Sequence, residues 1–361
     1  MAGLEEGDGG LGAVHVSGAA ERDLSAPETV DPRVDDDQAD HGRRATTPGD
    51  IPVSGWRDVL VRVKSEAKAD NAAMLAAGVA FFGLLALVPA LVALVSLYGL
   101  VADPATIGHQ VGDALSAAPR EVRALVQEQL TAIADGSGGG ALLGVVIGLA
   151  LALWSASSGT AHLVEAINLA YDERETRSFI KRRGLSLALT IGAVIFVAVA
   201  LATITVVPAL LQRLELGFVG GFLANAGRWV GLAASMMVAL GVLYRVAPDR
   251  DAPQWRWASP GAVVATLVWL SASALFSVYT ANFASYNETY GALGAIVVVM
   301  LWLLLSAAVV ILGGELNCEL ERQTVADTTI GRQRPMGRRG AYAADTVAPS
   351  NDAHDGHDQR R

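Results

Sequence analysis

The chain of 361 residues is 52% hydrophobic and only 17% charged, with a mean hydropathy of +0.39, more apolar matter than a soluble domain of this size needs to fill its core. This excludes an ordinary soluble globular protein and defines an integral membrane protein. The formal net charge of −9 belongs to one tail: residues 1–55 hold twelve acids and four bases, residues 56–322 nineteen and seventeen, and residues 323–361 five and six.

Residues 1–55 are rich in Gly, Asp, Ala and Pro without helical or strand period, and are expected to be a disordered acidic tail. From Trp56 the pattern changes. Trp56, Val59, Leu60, Val63 and Ala67 recur at helical spacing with Arg57, Arg62, Lys64 and Lys68 between them, which predicts an amphipathic helix on a membrane surface. Six apolar segments follow at 72–101, 141–163, 185–211, 227–246, 259–280 and 291–314, each near the ~20 residues needed to cross the hydrocarbon. Backbone polar groups cannot be left unpaired in lipid, so each is a helix. The fold class is therefore all-α: six transmembrane helices in a membrane domain at 56–322, amphipathic surface helices, and disordered polar tails at 1–55 and 323–361. Between the first two spans, Val111, Leu115, Val122, Leu125, Val126, Leu130 and Ile133 form a stripe that predicts amphipathic helices, with Pro119 opening the second. Pro89 is expected to kink the first span and Pro208 to end or bend the third, while Ser259-Pro260 is a start signal for the fifth.

Lysine and arginine near the spans set the orientation. Four precede the first span, five follow the second, three follow the fourth and five lie in 322–339, whereas the alternate connections hold two, two and none. Both termini are thereby expected in the cytoplasm, with Trp255 and Trp257 in the aromatic belt of that face.

The chemistry available is sparse. Four of the six histidines lie in the tails, no phosphate-binding loop, nucleophile elbow or dinucleotide fingerprint is present, and the single cysteine, Cys318, supports neither a disulfide framework nor a Cys-rich metal site. No catalytic residue, metal or cofactor is expected, and the chain is read as not an enzyme. The informative residues are polar groups at the span ends, where ionisable side chains are costly. Asp70 and Asn71 stand before the first span, His162, Glu165 and Asn168 at the end of the second, and Glu315, Asn317 and Glu319 at the end of the sixth. If those three ends converge they form one polar cluster; the alternative is that each is solvated at headgroup level. On the opposite face the link containing Asn282, Tyr286, Asn287 and Tyr290 has no base and is dense in hydrogen-bonding groups, as a re-entrant segment or an ordinary tight loop. Small residues four apart (Ala72, Ala76 and Ala80; Gly140, Gly144, Gly148, Ala152 and Ala156) allow close helix packing or line a narrow route.

Five stretches in order carry a resemblance. They are Asn71–Phe82 with Pro89, Ala166–Phe179, Ser259–Ala262, Tyr279–Gly294 and Gly313–Leu320. Together they resemble the YihY / virulence factor BrkB-like membrane proteins, historically labelled ribonuclease BN, over residues 56–322. The resemblance implies a six-span protein of the bacterial inner membrane, with some members associated with envelope lipid handling or resistance to host serum. The residues give the ribonuclease label no support, for the spans offer no His/Asp cluster for metal-assisted cleavage and the body has no RNA-sized basic groove. The expected function is transport or translocation of an envelope lipid or other amphiphile. Membrane lipids and envelope proteins are the expected partners, and nucleic acid is not. The alternatives are a membrane ribonuclease and a non-transporting assembly protein.

Overall fold

The computed structural model describes residues 41–99, 139–213, 217–282 and 292–349. They form helices α1 (Val53–Ala69), α2 (Ala72–Gly99), α3 (Gly139–Ala170), α4 (Phe179–Arg213), α5 (Gly217–Val246), α6 (Trp255–Asn282), α7 (Ala292–Glu321) and the single turn α8 (Tyr342–Asp345). Among the described residues there is no strand, only an isolated bridge between Pro253 and Thr329. Helices α3 to α7 each contain a stretch long and apolar enough to cross a membrane, and the pair α1–α2, bent by 63°, makes a sixth. The expected amphipathic helices at 111–133 lie outside the described residues.

The bend between α1 and α2 has a local cause. Asn71 sits at φ 52°, the left-handed region that asparagine tolerates better than most side chains. Its carbonyl then accepts from the N–H groups of Met74 and Leu75 at 2.8 and 3.1 Å, restarting the helix in a new direction. At the end of α3, Asp172 adopts φ 54°, Glu173 N–H donates to Asn168 O at 2.8 Å and Asp172 N–H to Leu169 O at 2.9 Å. That is a Schellman closure with aspartate in the position glycine usually takes.

Contacts between α2 and α3, α3 and α4, α4 and α5, α5 and α6, α6 and α7, and α7 and α2 close the bundle, and α7 also touches α1 and α3. With lipid as solvent no hydrophobic force pulls helices together, so association rests on van der Waals fit between small residues. Ala72, Ala76, Ala166, Ala170, Ala307 and Ile311 form such a seam where α2, α3 and α7 meet. Gly261 and Gly313 do the same for α6 and α7: a Cβ on Gly261 would lie 2.1 Å from Gly313 O, and one on Gly313 2.2 Å from Tyr244 Oη.

The structure departs from the sequence expectations in several places. Helices α3 and α7 run past the expected span ends to Ala170 and Glu321, because their last turns carry polar residues paired inside the fold rather than solvated. Helix α4 continues past Pro208 to Arg213. Helix α6 starts at Trp255, so Ser259-Pro260 lies inside it; the Ser259 hydroxyl donates to Arg256 O at 3.4 Å, an acceptor that the missing proline N–H leaves over. Trp257 is buried with Val59, Leu316 and Leu320, while Trp255 is half exposed beneath Arg245. The same cluster takes up much of the apolar stripe of α1, so that stripe faces α7 instead of lipid. Finally, loss of periodicity at residue 323 does not mark the end of the folded chain. Residues 323–349, joined by 41–52, fold across one end of the bundle and bury Arg43, Thr324, Thr328 and Arg339. This end is called the capped face below.

Candidate functional site

The capped face is held by charged residues with defined partners. Arg250, after α5, forms a two-pronged pair with Glu321 of α7 at 2.7 and 3.2 Å, both side chains fully buried, and Thr328 donates its hydroxyl to the same carboxylate at 2.6 Å. Arg62 of α1 donates to Glu319 and to Gln323, each at 2.5 Å. Arg322 also pairs with Glu319 and lies 3.6 Å from Glu66. Arg339 donates to the carbonyls of Arg334, Ala326, Ala344 and Val325, wrapping the polar segment around one guanidinium. Arg43 donates to Arg322 O and Gln323 O, and burial together with the nearby Arg62 pushes its guanidinium down to about 10. Glu173 accepts from the Tyr342 N–H at 2.8 Å, yet burial pushes its carboxyl up to about 7.

Two of the residues singled out from the sequence are committed to this closure. Asn168 donates to Glu175 at 3.0 Å and accepts from the Asp249 N–H at 2.7 Å, tying α3 to the turn after α5. Asn317 accepts from Gly261 N–H at 2.7 Å and donates to Ala258 O at 3.1 Å, straddling Pro260 of α6. His162 and Glu165 lie elsewhere, on the outer surface. His162 stacks on Phe82 at 3.6 Å and stands 3.8 Å from Glu165, which pairs with Arg182 at 3.1 Å. Beside them Arg183 reaches the Trp154 carbonyl at 2.5 Å and lies 4.3 Å above its ring. Tyr286, Asn287 and Tyr290 lie outside the described residues, and of Asn282 only its place as the last residue of α6 is described.

The start of α2 and the ends of α3 and α7 pack together through the alanine seam, with Glu315 just beyond it. Its side chain projects from α7 one turn beyond Ile311, just past the alanine seam, and the carboxylates acting on it are Asp70 and Glu66 from the α1–α2 bend, Asp172 from the end of α3, and Glu319. Glu315 is 3% exposed, and its Oε1 has no hydrogen-bond partner.

Farther into the membrane, α2, α3, α4 and α7 enclose a cavity of about 390 Å³, within the range of small-ligand sites. Small and aliphatic side chains line it, among them Ala80, Gly83, Ala156, Gly159, Ala193 and Ala307. Its polar groups are three hydroxyls: Thr160 and Thr190, 2.7 Å apart, and Ser306, which accepts from the Trp269 indole at 2.9 Å. The lining residues Leu87 of α2 and Val197 of α4 are 37% and 44% exposed, so the cavity is not sealed among the described residues. Sequence reasoning offered small-residue stripes as packing or lining, and Ala80 and Ala156 do both. It missed the three hydroxyls, which no local pattern marks in an apolar run. It also missed Arg43, Arg250 and Arg339, whose one signal was arginine placed among turn-forming residues, and Glu321, which had none.

A family model described as Virulence factor BrkB matches residues 63–337, running from α1 into the cap. The chain is 37% identical over 252 residues to YfkH of Bacillus subtilis (strain 168), named a ribonuclease-like protein, covering 68% of this chain and 89% of that one. It is 34% identical over 137 residues to a UPF0761 membrane protein of Vibrio parahaemolyticus, 38% of this chain and 42% of the relative. A UPF0761 membrane protein of Alteromonas mediterranea is 36% identical over 88 residues, 24% of this chain and 30% of the relative. These two matches cover less than half of each relative. No solved structure matches.

Proposed function

The chain belongs to the Virulence factor BrkB family of membrane proteins, and from that premise we propose that it binds an envelope amphiphile of the phospholipid class and moves it across the membrane. The observation that carries this reading is the open cavity, apolar except for three hydroxyls and bordered by small residues that leave room for an acyl chain. So apolar a lining fits a ligand drawn from the bilayer better than one drawn from water. In this reading the capped face, which carries the bases of the α1, α3–α4 and α5–α6 connections, lies in the cytoplasm of a bacterial cell under the positive-inside bias. The ribonuclease reading rests on the relative's name. Among the described residues no group of three or more His, Cys, Asp or Glu is placed to hold a metal ion.

The test uses purified full-length protein in liposomes carrying labelled phospholipid. Wild type is expected to accelerate exchange of label between leaflets, and Ala90→Phe combined with Ala193→Phe, which fills the cavity, to abolish most of that acceleration. Leu275→Phe, on the exposed outer surface, should leave it unchanged. Equal rates with and without protein would refute the proposal, and RNA cleavage by the same sample would favour the ribonuclease reading.

A further inference from the structure

Oε1 of Glu315 is the one carboxylate oxygen among the described residues that is buried without a hydrogen-bond partner. Other buried acids of this face are engaged: Glu319 by Arg62 and Arg322, Glu321 by Arg250 and Thr328, Asp58 by His41 at 2.6 Å. Glu315 has no such partner.

Its surroundings make an ionised form expensive. The charges that act on it are Glu66 of α1, Asp70 at the α1–α2 junction, Asp172 at the end of α3 and Glu319 of its own helix, with the Cys318 thiol nearby. Toward the membrane it meets the alanine seam of α2, α3 and α7. The nearby base, Arg322, is held by Glu319 and Glu66 and by the ring of Tyr342 at 5.4 Å. A buried charge with no counter-charge costs several kcal/mol, and neighbouring like charges add to that cost. No group of three or more candidate ligands among the described residues offers a metal ion a place here, which leaves the smallest cation.

We propose that Glu315 is a proton-binding site whose occupancy is linked to the α1–α2 bend. The link follows from geometry. Asp70 adjoins Asn71 at φ 52° and Asp172 holds φ 54°, so the only two described non-glycine residues with positive φ lie at the junctions that bring acids to Glu315. Loss of the proton sets Glu315 against Asp70 and Asp172 together, and these two turns are where the fold yields. Protonated, the site lets α2, α3 and α7 stay packed. The inference stands apart from the amphiphile reading, since its readouts do not depend on lipid movement.

The experiment uses the full chain in lipid nanodiscs. Infrared spectra at neutral pH are expected to show the carbonyl band of a protonated carboxyl, absent from Glu315→Gln and retained in Glu165→Gln, whose site is an exposed ion pair. Absence of the band in wild type, or its survival in Glu315→Gln, overturns the proposal. Glutamine is the neutral isostere of a protonated glutamate, so Glu315→Gln is expected to fold and melt like wild type, and failure to fold also overturns it. Ala72, buried at the start of α2 just after the bend, serves as reporter through Ala72→Cys combined with Cys318→Ala, which removes the single natural thiol. Labelling of this background by a small maleimide is expected to rise several-fold more steeply from mildly acidic to mildly alkaline pH than when Glu315→Gln is added. Parallel curves would overturn the link to the bend.

Discussion

Replacing Glu321 by glutamine tests whether the capped face is a structural closure. Glu321 and Arg250 are both fully buried, 2.7 Å apart at their nearest atoms, and the Thr328 hydroxyl donates to the same carboxylate at 2.6 Å. In Glu321→Gln the Arg250 guanidinium loses its hydrogen-bonded carboxylate, keeping the Asp251 carbonyl at 3.2 Å, the face of Tyr171 at 5.4 Å and the more distant charge of Glu173. Breaking one half of a buried pair costs about 3–5 kcal/mol, chiefly because the surviving charge stays buried. At roughly 2–4 °C per kcal/mol for large domains, that is a fall of roughly 6–20 °C in melting temperature. Arg250→Met is expected to cost a similar amount, for it strands the carboxylate instead. The double variant Arg250→Met with Glu321→Leu removes both charges and is expected to recover most of the loss, so the two effects are strongly non-additive. Thermal unfolding in detergent, followed by tryptophan fluorescence, measures all three. A loss below about 1 kcal/mol for Glu321→Gln, the level of an exposed pair, would refute the reasoning, as would simple additivity in the double variant.

Gly261→Ala is expected to cost about 1–3 kcal/mol, because its Cβ would sit 2.1 Å from the Gly313 carbonyl, whereas Gly231→Ala meets nothing within 4 Å and should be neutral or slightly stabilising in the same melting assay. Glu173 sets a pH dependence: burial raises its folded-state value from 4.5 to about 7, so the folded chain keeps a proton that the unfolded chain has already released. Its contribution is complete below the unfolded value and is lost as pH rises through about 7, so the melting temperature should fall over that window in wild type and flatten in Glu173→Gln. A chain ended at Arg322 loses the Thr328 bond to Glu321 and the carbonyl wrapping by Arg339, and its melting temperature should drop further than that of Glu321→Gln.

Much of the bundle was legible in the sequence because the bilayer leaves few solutions. Long apolar runs must be helices, so α2 to α7 are found near their expected places, with α3, α4, α6 and α7 running farther into the cap and α5 starting at Gly217 rather than 227 at the other end. Side-chain partners were not legible. Asn168 and Asn317 stood out as polar groups near span ends, but a sequence cannot tell that their amides are spent on the Asp249 N–H and on the backbone around Pro260. Glu315 stood out for the same reason, and only the packing of α1, α3 and α7 separates it from them. The cap escaped notice because it is stabilised by long-range bonds between turns and arginines, such as Gln254 N–H to Thr328 O and Asp251 N–H to Gly340 O, which leave no periodic trace. Gly331, Gly337 and Gly340, all at positive φ, were its faint signature.

The two halves of the bundle impose different limits on any route through it. Toward the capped face Asn168 and Asn317 brace helix ends, and Arg62, Arg250 and Arg322 lock α7 to the elements around it. A ligand passing there would have to break buried ion pairs costing about 3–5 kcal/mol each when one partner is displaced. The cavity demands no such disruption, since its walls are small and aliphatic side chains with three hydroxyls. Glu315 lies between the two regimes, at the end of the alanine seam and beside the bend that joins α1 to α2. Helix α2, which starts at that bend, also supplies Val79, Ala80, Gly83 and Ala86 to the cavity wall. If the proposed proton site biases the bend, this one helix is its route to the cavity, and Glu315→Gln is expected to flatten the pH dependence of lipid exchange; an unchanged dependence would refute the connection.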